Sequence, residues 1–547
     1  MHQRTDGALG TVLSYTGANA DGSFDIEEFQ YDDFYASFDW VIAPRHDLGV
    51  SLTYLRERSD YDESNLTPQE YAVAPRRKRG RFDQEFNNFN LDYFKGDVVH
   101  DFAITDRWSM STRFFATRAD RPRFTVDPED IVVDALPAFV FDDPDDRFIE
   151  GVQGVMVGRD RLYRTFGIEN RMELTDIEAF GLDHTLQWGT RYERHFLNDK
   201  RAEGALGEVL DKDNRGPTTR DVAYQASAVS LFVQDIVRFG DWTITPGLRT
   251  EYYTQNKVRK VLGSDPGPHG PKETDHNSLL LPSLSFLYQG FERTEFFANI
   301  ARGYTPAFAR TADSFPLEPE TGINSQVGLR STRLRGITLE AAAFYNIITD
   351  TIVQLPFTIN GMNVVLNSAD SESYGVDLGA RIDSAAYHRS PFNFFTELAY
   401  NYTQAEFTED AFGVALDGNR VPEVPQHVAT LTAGFEHVWG WHLSATLSHF
   451  GSFFTDPINT RAFVLADEDR EPVGPGDTLE IREPAVLGRV KGHTLLSARL
   501  SYDIPGRDMT VWLQGRNLTD RLYITDVENG LRPGAERTIM GGVRMRF

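Results

Sequence analysis

One dense basic cluster, Arg76-Arg77-Lys78-Arg79-Gly80-Arg81, is the strongest candidate for anion chemistry in the sequence. Its four guanidiniums and one ammonium group could hold polycarboxylates or the phosphates of lipopolysaccharide, since a guanidinium offers paired donors to both. Arg302 and Arg310 lie beside a polar segment at 307–320 and are further candidates for binding an anion. The alternative interpretation is a solvated loop whose charges only offset nearby acids.

Other reactive constellations are weak or absent from the sequence. The acidic run Asp142, Asp143, Asp145 and Asp146 could hold Ca²⁺, but it lacks the spaced ligands and glycine of a calcium loop, which favours a solvated turn. The 13 histidines show no metal-binding spacing, and the chain has no cysteine. There is no nucleophile elbow, P-loop or dinucleotide fingerprint. We therefore expect no catalysis, no cofactor and no metal site.

Composition narrows the class of protein further. The net charge of −26 argues against a nucleic-acid partner, because both would be negative. No stretch of about 18 apolar residues occurs, so a helical membrane protein is not expected. The first residues, Met1-His-Gln-Arg-Thr-Asp6, lack the apolar core of a secretory signal peptide.

Period-2 alternation of apolar and polar side chains recurs from one end of the chain to the other. It is seen at 496–503 and 543–547, and at 392–403 with Phe395 and Thr396 as exceptions. Such strands fit a soluble sandwich and a membrane barrel with a wet interior equally well. In the segment 392–403 the apolar face carries Phe392, Phe394, Leu398, Tyr400 and Tyr402, and the polar face carries Asn393, Glu397, Asn401 and Thr403.

The connections between strands favour the membrane barrel. We predict about 20 strands whose links alternate between short and long, so that every second turn lies on one rim. Outer-membrane barrels show this rhythm, whereas soluble sandwiches and propellers do not keep it over so many strands. The short links include 44–47, 239–242, 335–336, 439–441 and 505–508, and the long polar links lie at about 60–81, 125–158, 200–221, 260–276, 307–320, 408–425 and 455–491.

Aromatic residues cluster near many predicted strand ends. They could form the interfacial girdles of a barrel, although ordinary strand propensity explains them equally well. We find no helical domain, internal repeat or linker, and predict one domain over residues 1–547. The aromatic residues are Phe114-Phe115, Phe296-Phe297, Phe394-Phe395, Phe453-Phe454 and Tyr523.

Several motifs, taken in order, resemble the barrel half of TonB-dependent receptors. Gly515-Arg-Asn-Leu-Thr-Asp-Arg-Leu-Tyr-Ile524 is similar to a late barrel strand of that family, and Leu531-Arg-Pro-Gly-Ala-Glu-Arg537 to the loop after it. The chain then ends on an alternating strand with Phe547. The stretches 280–304, 317–350 and 373–377 resemble further family segments in the same order. Three more stretches resemble the ferric-dicitrate-type branch: 66–70, 418–422 and 454–460.

The resemblance implies an all-β, antiparallel transmembrane barrel in the bacterial outer membrane. Family members have 22 strands and an N-terminal plug, whereas nothing before residue 34 resembles a plug, so we expect an N-terminally truncated barrel. The implied function is energy-coupled uptake of a ferric chelate such as a siderophore or citrate complex. The implied partners are outer-membrane lipid and the chelate, with the inner-membrane TonB complex only if a plug and coupling box are supplied. Asn393, Glu397 and Asn401 would line the lumen.

Other function classes remain open at this stage. A barrel without a plug could act as a passive, porin-like pore, or could be a non-functional fragment. A secreted soluble β-protein that binds glycans would instead stay in solution without detergent.

Overall fold

Antiparallel strands make up most of the computed structural model. It describes residues 2–24, 27–60, 65–66, 68–76, 88–129, 153–205, 217–262, 265–307, 317–359, 362–410, 414–462, 464–466, 485–527 and 530–545. One short helix, α1 (Pro68–Val73), and a 3-10 turn at Ser384–Ala386 are the helical elements of these residues. None of the described helices is long and apolar enough to cross a membrane. The strands are β1 (His2–Asp6), β2 (Leu9–Asp21), β3 (Glu28–Ala43), β4 (His46–Ser59), β5 (Asn88–Ala103), β6 (Trp108–Glu129), β7 (Gln153–Ala179), β8 (Leu182–Ala205), β9 (Thr218–Phe239), β10 (Trp242–Leu262), β11 (Asp265–Phe291), β12 (Thr294–Thr305), β13 (Glu320–Ser331), β14 (Ile337–Ile359), β15 (Met362–Asp383), β16 (Phe392–Phe407), β17 (His427–His437), β18 (Trp441–Phe450), β19 (Phe453–Phe454), β20 (Val464–Ala466), β21 (Ala485–Leu487), β22 (Arg489–Val490), β23 (His493–Asp503), β24 (Met509–Arg516), β25 (Ile524–Asp526), β26 (Arg532–Pro533) and β27 (Thr538–Met545).

A single sheet contains 21 of these strands and confirms the predicted fold class. Each strand pairs antiparallel with the one before and after it, from β1 to β18 and then through β23, β24 and β27. The remaining strands form three small pairs in the loops, β19–β22, β20–β21 and β25–β26. Among the described residues no pairing joins β1 to β27, which are therefore the two ends of the sheet.

The two faces of the sheet differ as the alternation predicts. On β16, Phe392, Phe394 and Leu398 are 40%, 57% and 40% exposed. The same pattern recurs on β9, with Val229, Leu231 and Val233, and on β15, where large apolar side chains also occupy alternate positions and are exposed. A large exposed apolar band of this kind is expected where lipid, rather than water, surrounds the strands.

Contacts between loops bring the two ends of the sheet together, so that it curls into a barrel. Arg532, after β25, forms a 2.5 Å ion pair with Glu27, just before β3. Leu66 and Leu531 exchange backbone hydrogen bonds of 3.2 and 2.7 Å and are 1% and 2% exposed. Arg76 reaches the carboxylate of Glu536 at 2.6 Å. We call this group the seam clamp, since it joins loops of the first strands to the last loop.

The short and long links lie on opposite rims, as predicted. The turn at Phe180-Gly181 is one of the two-residue turns, and both of its residues have positive φ, at 53° and 75°. Two successive positive φ values form the type of hairpin turn that matches the twist of the flanking strands. Phe180 is 99% exposed, so this turn projects from the short-turn rim.

Strand extends into three of the predicted long loops. All described residues of 260–276 are strand, so the loop predicted there from its polar composition was wrong. β6 extends to Glu129 and β8 to Ala205, so 125–158 and 200–221 begin as strand, while 130–152 and 206–216 lie outside the described residues. A strand that continues beyond the lipid has water on both faces and needs no apolar side chains. A membrane crossing needs only about 9–11 residues, whereas β7 and β11 have 27 each.

Aromatic rings on the inner face lie over glycines of the neighbouring strand. Because glycine has no side chain, the flat ring can lie directly against the backbone of the next strand. A Cβ at the same position would clash with the ring. The aromatic doublets of the sequence divide accordingly: Phe114 points outward and Phe115 inward, as do Phe394 and Phe395. The pairs, which we call aromatic–glycine joints, are Phe115–Gly167, Phe232–Gly189, Phe297–Gly328, Phe344–Gly375, Phe395–Gly434 and Trp512–Gly542.

Candidate functional site

Of the predicted basic loop, only Arg76 belongs to the described residues. Its guanidinium donates to the carbonyl oxygen of Gly534 at 2.8 Å and pairs with Glu536 at 2.6 Å, within the seam clamp. Burial raises the pKa of Tyr71, on α1, to about 12, and the nearby positive charge of Arg76 offsets part of that rise. Arg77, Lys78, Arg79, Arg81 and Arg310, like the acidic run at 142–146, lie outside the described residues.

Arg302 is an exposed residue of β12 and pairs in register with Ile323, which is 46% exposed. It thus shares the face of the outward apolar side chains. Its role in binding a ligand stays a prediction.

The predicted lumen residues lie on the face of β16 opposite Phe392, Phe394 and Leu398. Asn393 donates to Asp383 at 3.0 Å. Glu397 pairs with Arg381 at 2.9 Å, and Asn401 donates to Asp377 at 2.7 Å. Each is held by a neighbouring strand, and its contact with a plug stays a prediction.

A concentration of arginines that sequence reasoning missed lies where β6–β9 continue beyond the apolar band. The register places Arg123, Arg159, Arg201 and Arg220 opposite one another in one row, and Arg121 opposite Arg161 in the next. On β6 and β7 these odd-numbered positions alternate with outward Phe114 and Phe166, so they face inward. We call these six residues the arginine ladder.

The arginine ladder is rich in positive charge for its size. Asp199 pairs with Arg161 at 3.1 Å, and Glu203 pairs with Arg201 at 2.8 Å. Lys257, 2% exposed, adds a further cation next to the ring of Tyr224. Like charges directly opposite on a sheet are destabilising. An arrangement that places four arginines side by side is therefore suited to a bound anion.

The burial and contacts of the arginine ladder, as well as its charge, favour the binding of an anion. Arg123 and Arg161 are strongly buried, at 5% exposure of the whole residue and 12% of the side chain, so water screens them poorly. The guanidinium carbon of Arg121 lies over the ring of Phe89, 4.5 Å from its centre. Arg220 donates to the hydroxyl of Tyr224 at 3.3 Å. Planar, oriented guanidiniums bind carboxylates through two parallel hydrogen bonds.

Nearer the short-turn rim the inner wall is balanced in charge. Glu169 pairs with Arg191 at 3.2 Å and also contacts Arg171. Glu251 accepts hydrogen bonds from Ser230 at 2.7 Å and Arg249 at 3.0 Å. Of these groups, Glu169, Arg171, Arg191 and Arg249 border a cavity of about 760 Å³. The inner wall thus passes from a row of directly opposed arginines near the long-link rim to alternating acids and arginines nearer the short-turn rim.

A metal site made of protein ligands is not found in the part of the chain that the structure describes, since no three His, Asp or Glu side chains gather there. The signal that could have revealed the arginine ladder is the alternation Arg121-Pro-Arg123 and Arg159-Asp-Arg161. Each pair places both arginines on one face of a strand, but the sequence does not reveal which strands meet.

A barrel of this size, with an apolar outer face, a charged interior and long links on one rim, is an outer-membrane receptor or channel. The chain belongs to the family described as TonB-dependent receptor-like, β-barrel, which it matches over residues 11–518. It is therefore a protein of the bacterial outer membrane, in a family of transport receptors rather than enzymes.

Individual relatives are distant. The ferrioxamine receptor of Yersinia enterocolitica is 20% identical over 321 residues, which are 55% of this chain and 42% of that protein. The chain thus spans less than half the length of this curated relative. The ferric citrate transporter FecA has a similar fold, with a TM-score of 0.79 and 20% identity over 98% of this chain and 73% of FecA. The ferric yersiniabactin uptake receptor FyuA of Yersinia pestis has a TM-score of 0.71 and 17% identity, over 99% of this chain and 76% of FyuA.

Proposed function

We propose that this chain is the barrel of an energy-coupled outer-membrane receptor that takes up an anionic ferric chelate. The observation that carries the proposal is the arginine ladder, in which inward-facing arginines of four neighbouring strands lie opposite one another near the long-link rim. Two of the similar proteins are named for ferrioxamine and ferric citrate, which supports iron chelates as the class of cargo.

The chemistry of the arginine ladder favours carboxylate-bearing chelates. A ferric polycarboxylate complex presents several oxygens with negative charge on its surface, and paired guanidinium donors match that geometry. Adjacent arginines in two rows would contact more than one carboxylate at once.

We infer energy coupling from the family to which the chain belongs, and not from the arginine ladder. We infer that the inner-membrane TonB complex would act on a plug packed against the balanced part of the inner wall. Paired groups such as Glu169 with Arg191 would let a plug slide or rearrange without exposing an unpaired charge. Asn393, Glu397 and Asn401 would belong to that wall.

The test measures binding of ferric citrate and of a neutral ferric trihydroxamate to the full chain in neutral detergent. In the double variant Arg121→Gln/Arg159→Gln we expect ferric citrate affinity to fall at least tenfold, with little change for the neutral chelate. The control is Arg333→Gln/Arg335→Gln, which removes equal charge from an exposed turn on the opposite rim. Without ligand, the ladder variant should unfold at the same or a slightly higher temperature, because like-charge repulsion is reduced.

Equal loss of affinity for both chelates, or none for either, would contradict an anion-selective site. Conductance of the chain in a planar bilayer tests the passive pore. A steady open conductance together with no chelate binding would replace the receptor by a pore.

A further inference from the structure

A second arginine group lies on the outer face of the same strands. Arg118 of β6 and Arg164 of β7 lie directly opposite each other in the pairing of the two strands. Arg164 also lies opposite Phe196 of β8. Arg194 lies two positions before Phe196 and is opposite Phe166. We call Arg118, Arg164 and Arg194 the outer arginine patch.

The outer arginine patch lies at the boundary of the apolar band. Phe114 and Phe166, which are 53% and 45% exposed, occupy outward positions on the short-turn side of Arg118 and Arg164. In an outer-membrane barrel this height corresponds to the border between hydrocarbon and the headgroups of the outer leaflet. A charged group placed there meets lipid headgroups rather than acyl chains.

Few acids neutralise the outer arginine patch. Asp120 is 3.5 Å from Arg118, whose side chain remains 60% exposed, and such an exposed pair contributes little. Arg164 and Arg194 lie 5.6 and 4.8 Å from the ring centre of Phe196. The buried Nε of Arg194 has no hydrogen-bond partner among the described residues.

Acidic groups lie on the outer face of other strands. Tyr15 donates to Asp32 at 2.6 Å, and Tyr345 donates to Glu372 at 2.6 Å. The chain as a whole carries −26. The outer arginine patch, in which Arg118 and Arg164 are directly opposed, differs from Arg58, an outward arginine of β4 that pairs with Asp92 at 2.7 Å.

We propose that the outer arginine patch binds the phosphate groups of the phosphorylated glycolipid of the outer leaflet. Each phosphate accepts paired hydrogen bonds from a guanidinium, and two phosphates on one lipid would bridge Arg164 and Arg194. The acyl chains of the same lipid would lie against Phe114 and Phe166. The lipid would thereby offset the repulsion between Arg118 and Arg164.

Native mass spectrometry of the full chain in neutral detergent tests the proposal. The probes are diphosphoryl lipid A and lipid A from which both phosphates have been removed. The wild type should retain the phosphorylated lipid at least tenfold more than the stripped one, and Arg164→Gln/Arg194→Gln should lose this preference. The control Arg58→Gln changes an outward arginine that already pairs with Asp92 at 2.7 Å. This variant should keep the preference for the phosphorylated lipid.

Equal retention of both lipids by the wild type, or an unchanged preference in Arg164→Gln/Arg194→Gln, would overturn the proposal. Displacement of the lipid by millimolar inorganic phosphate would instead indicate a site for the free anion, and would overturn the lipid assignment. If the double variant does not fold, Arg118→Gln takes its place, with a several-fold loss of preference expected and no loss overturning the proposal.

Discussion

At the scale of single residues, the inner wall depends on contacts that only particular side-chain sizes allow. In the joint of Phe395 with Gly434, the ring covers the glycine while the guanidinium of Arg381 stacks 4.4 Å above the ring. The three residues come from neighbouring strands β15, β16 and β17. The joint therefore fixes the relative position of three strands through one ring.

Replacing Gly434 by alanine should destabilise the barrel. The new methyl group would overlap the ring of Phe395, and overpacking of this kind costs about 1–3 kcal/mol. The matched control is Gly379→Ala on β15, where the nearest atom to a new Cβ is 3.8 Å away. Urea unfolding followed by tryptophan fluorescence compares them, and equal stability of the two variants would contradict the role of the joint.

The sequence alone predicts which face of the strand these residues occupy, but not which residues of other strands they contact. Alternation at 392–403 placed Asn393, Glu397 and Asn401 opposite Phe392 correctly, because period 2 is a property of one strand. Phe395 appeared as an exception to that pattern. Its place on the inner face is explained by Gly434, which is 39 positions away in the chain and could not be assigned as its partner from sequence alone.

At the scale of elements, links and their contacts hold the long-link rim in place. Two motifs that resemble the same family branch contact each other there. Asn459 donates to the carbonyl oxygen of Arg420 at 2.8 Å and accepts from its backbone N–H at 2.9 Å. Burial lowers the pKa of Arg420, and neighbouring Arg489 lowers it further. The sequence indicated both motifs, but their reciprocal contact follows only from the fold.

The seam clamp should contribute strongly to stability through Glu27. Its carboxylate and the guanidinium of Arg532 have side chains only 6% and 14% exposed. Removing one partner of a buried pair leaves the other uncompensated, so Glu27→Gln should cost about 3 kcal/mol. The temperature at which the folded form is lost on SDS gels measures this effect.

The matched control for the clamp is Asp106→Asn on the opposite rim. Asp106 pairs with Arg45 at 2.7 Å, but their side chains are 91% and 51% exposed. An exposed pair contributes about 0–1 kcal/mol. If the two variants lose the folded form at the same temperature, the clamp does not stabilise the barrel.

At the scale of the whole molecule, two electrostatic fields of different range act on an anionic ligand. The net charge of −26 repels it over long distances, whereas the arginine ladder attracts it locally. The Debye length is about 30 Å at 0.01 M salt, about 10 Å at 0.1 M and about 3 Å at 1 M. Diffuse repulsion should therefore be screened at lower salt than the local attraction.

Association of ferric citrate should consequently depend on salt in two phases. We expect the rate to rise from 0.01 to about 0.1 M salt and to fall towards about 1 M. Arg121→Gln/Arg159→Gln should keep the rise and lose most of the fall. Stopped-flow fluorescence gives these rates, and a steady fall from the lowest salt onward in the wild type would disprove the long-range repulsion.

The seam clamp also has a consequence for the order in which the molecule is assembled. Pairings in the main sheet join strands that follow one another, so each hairpin can form soon after its second strand is available. Arg532 and Glu27, in contrast, are 505 positions apart. The contact that brings the ends of the wall together must therefore wait for the last hairpin. Until then the two ends of the sheet are not held together, and the free edges of its end strands make the unfinished barrel most prone to wrong association at this late step.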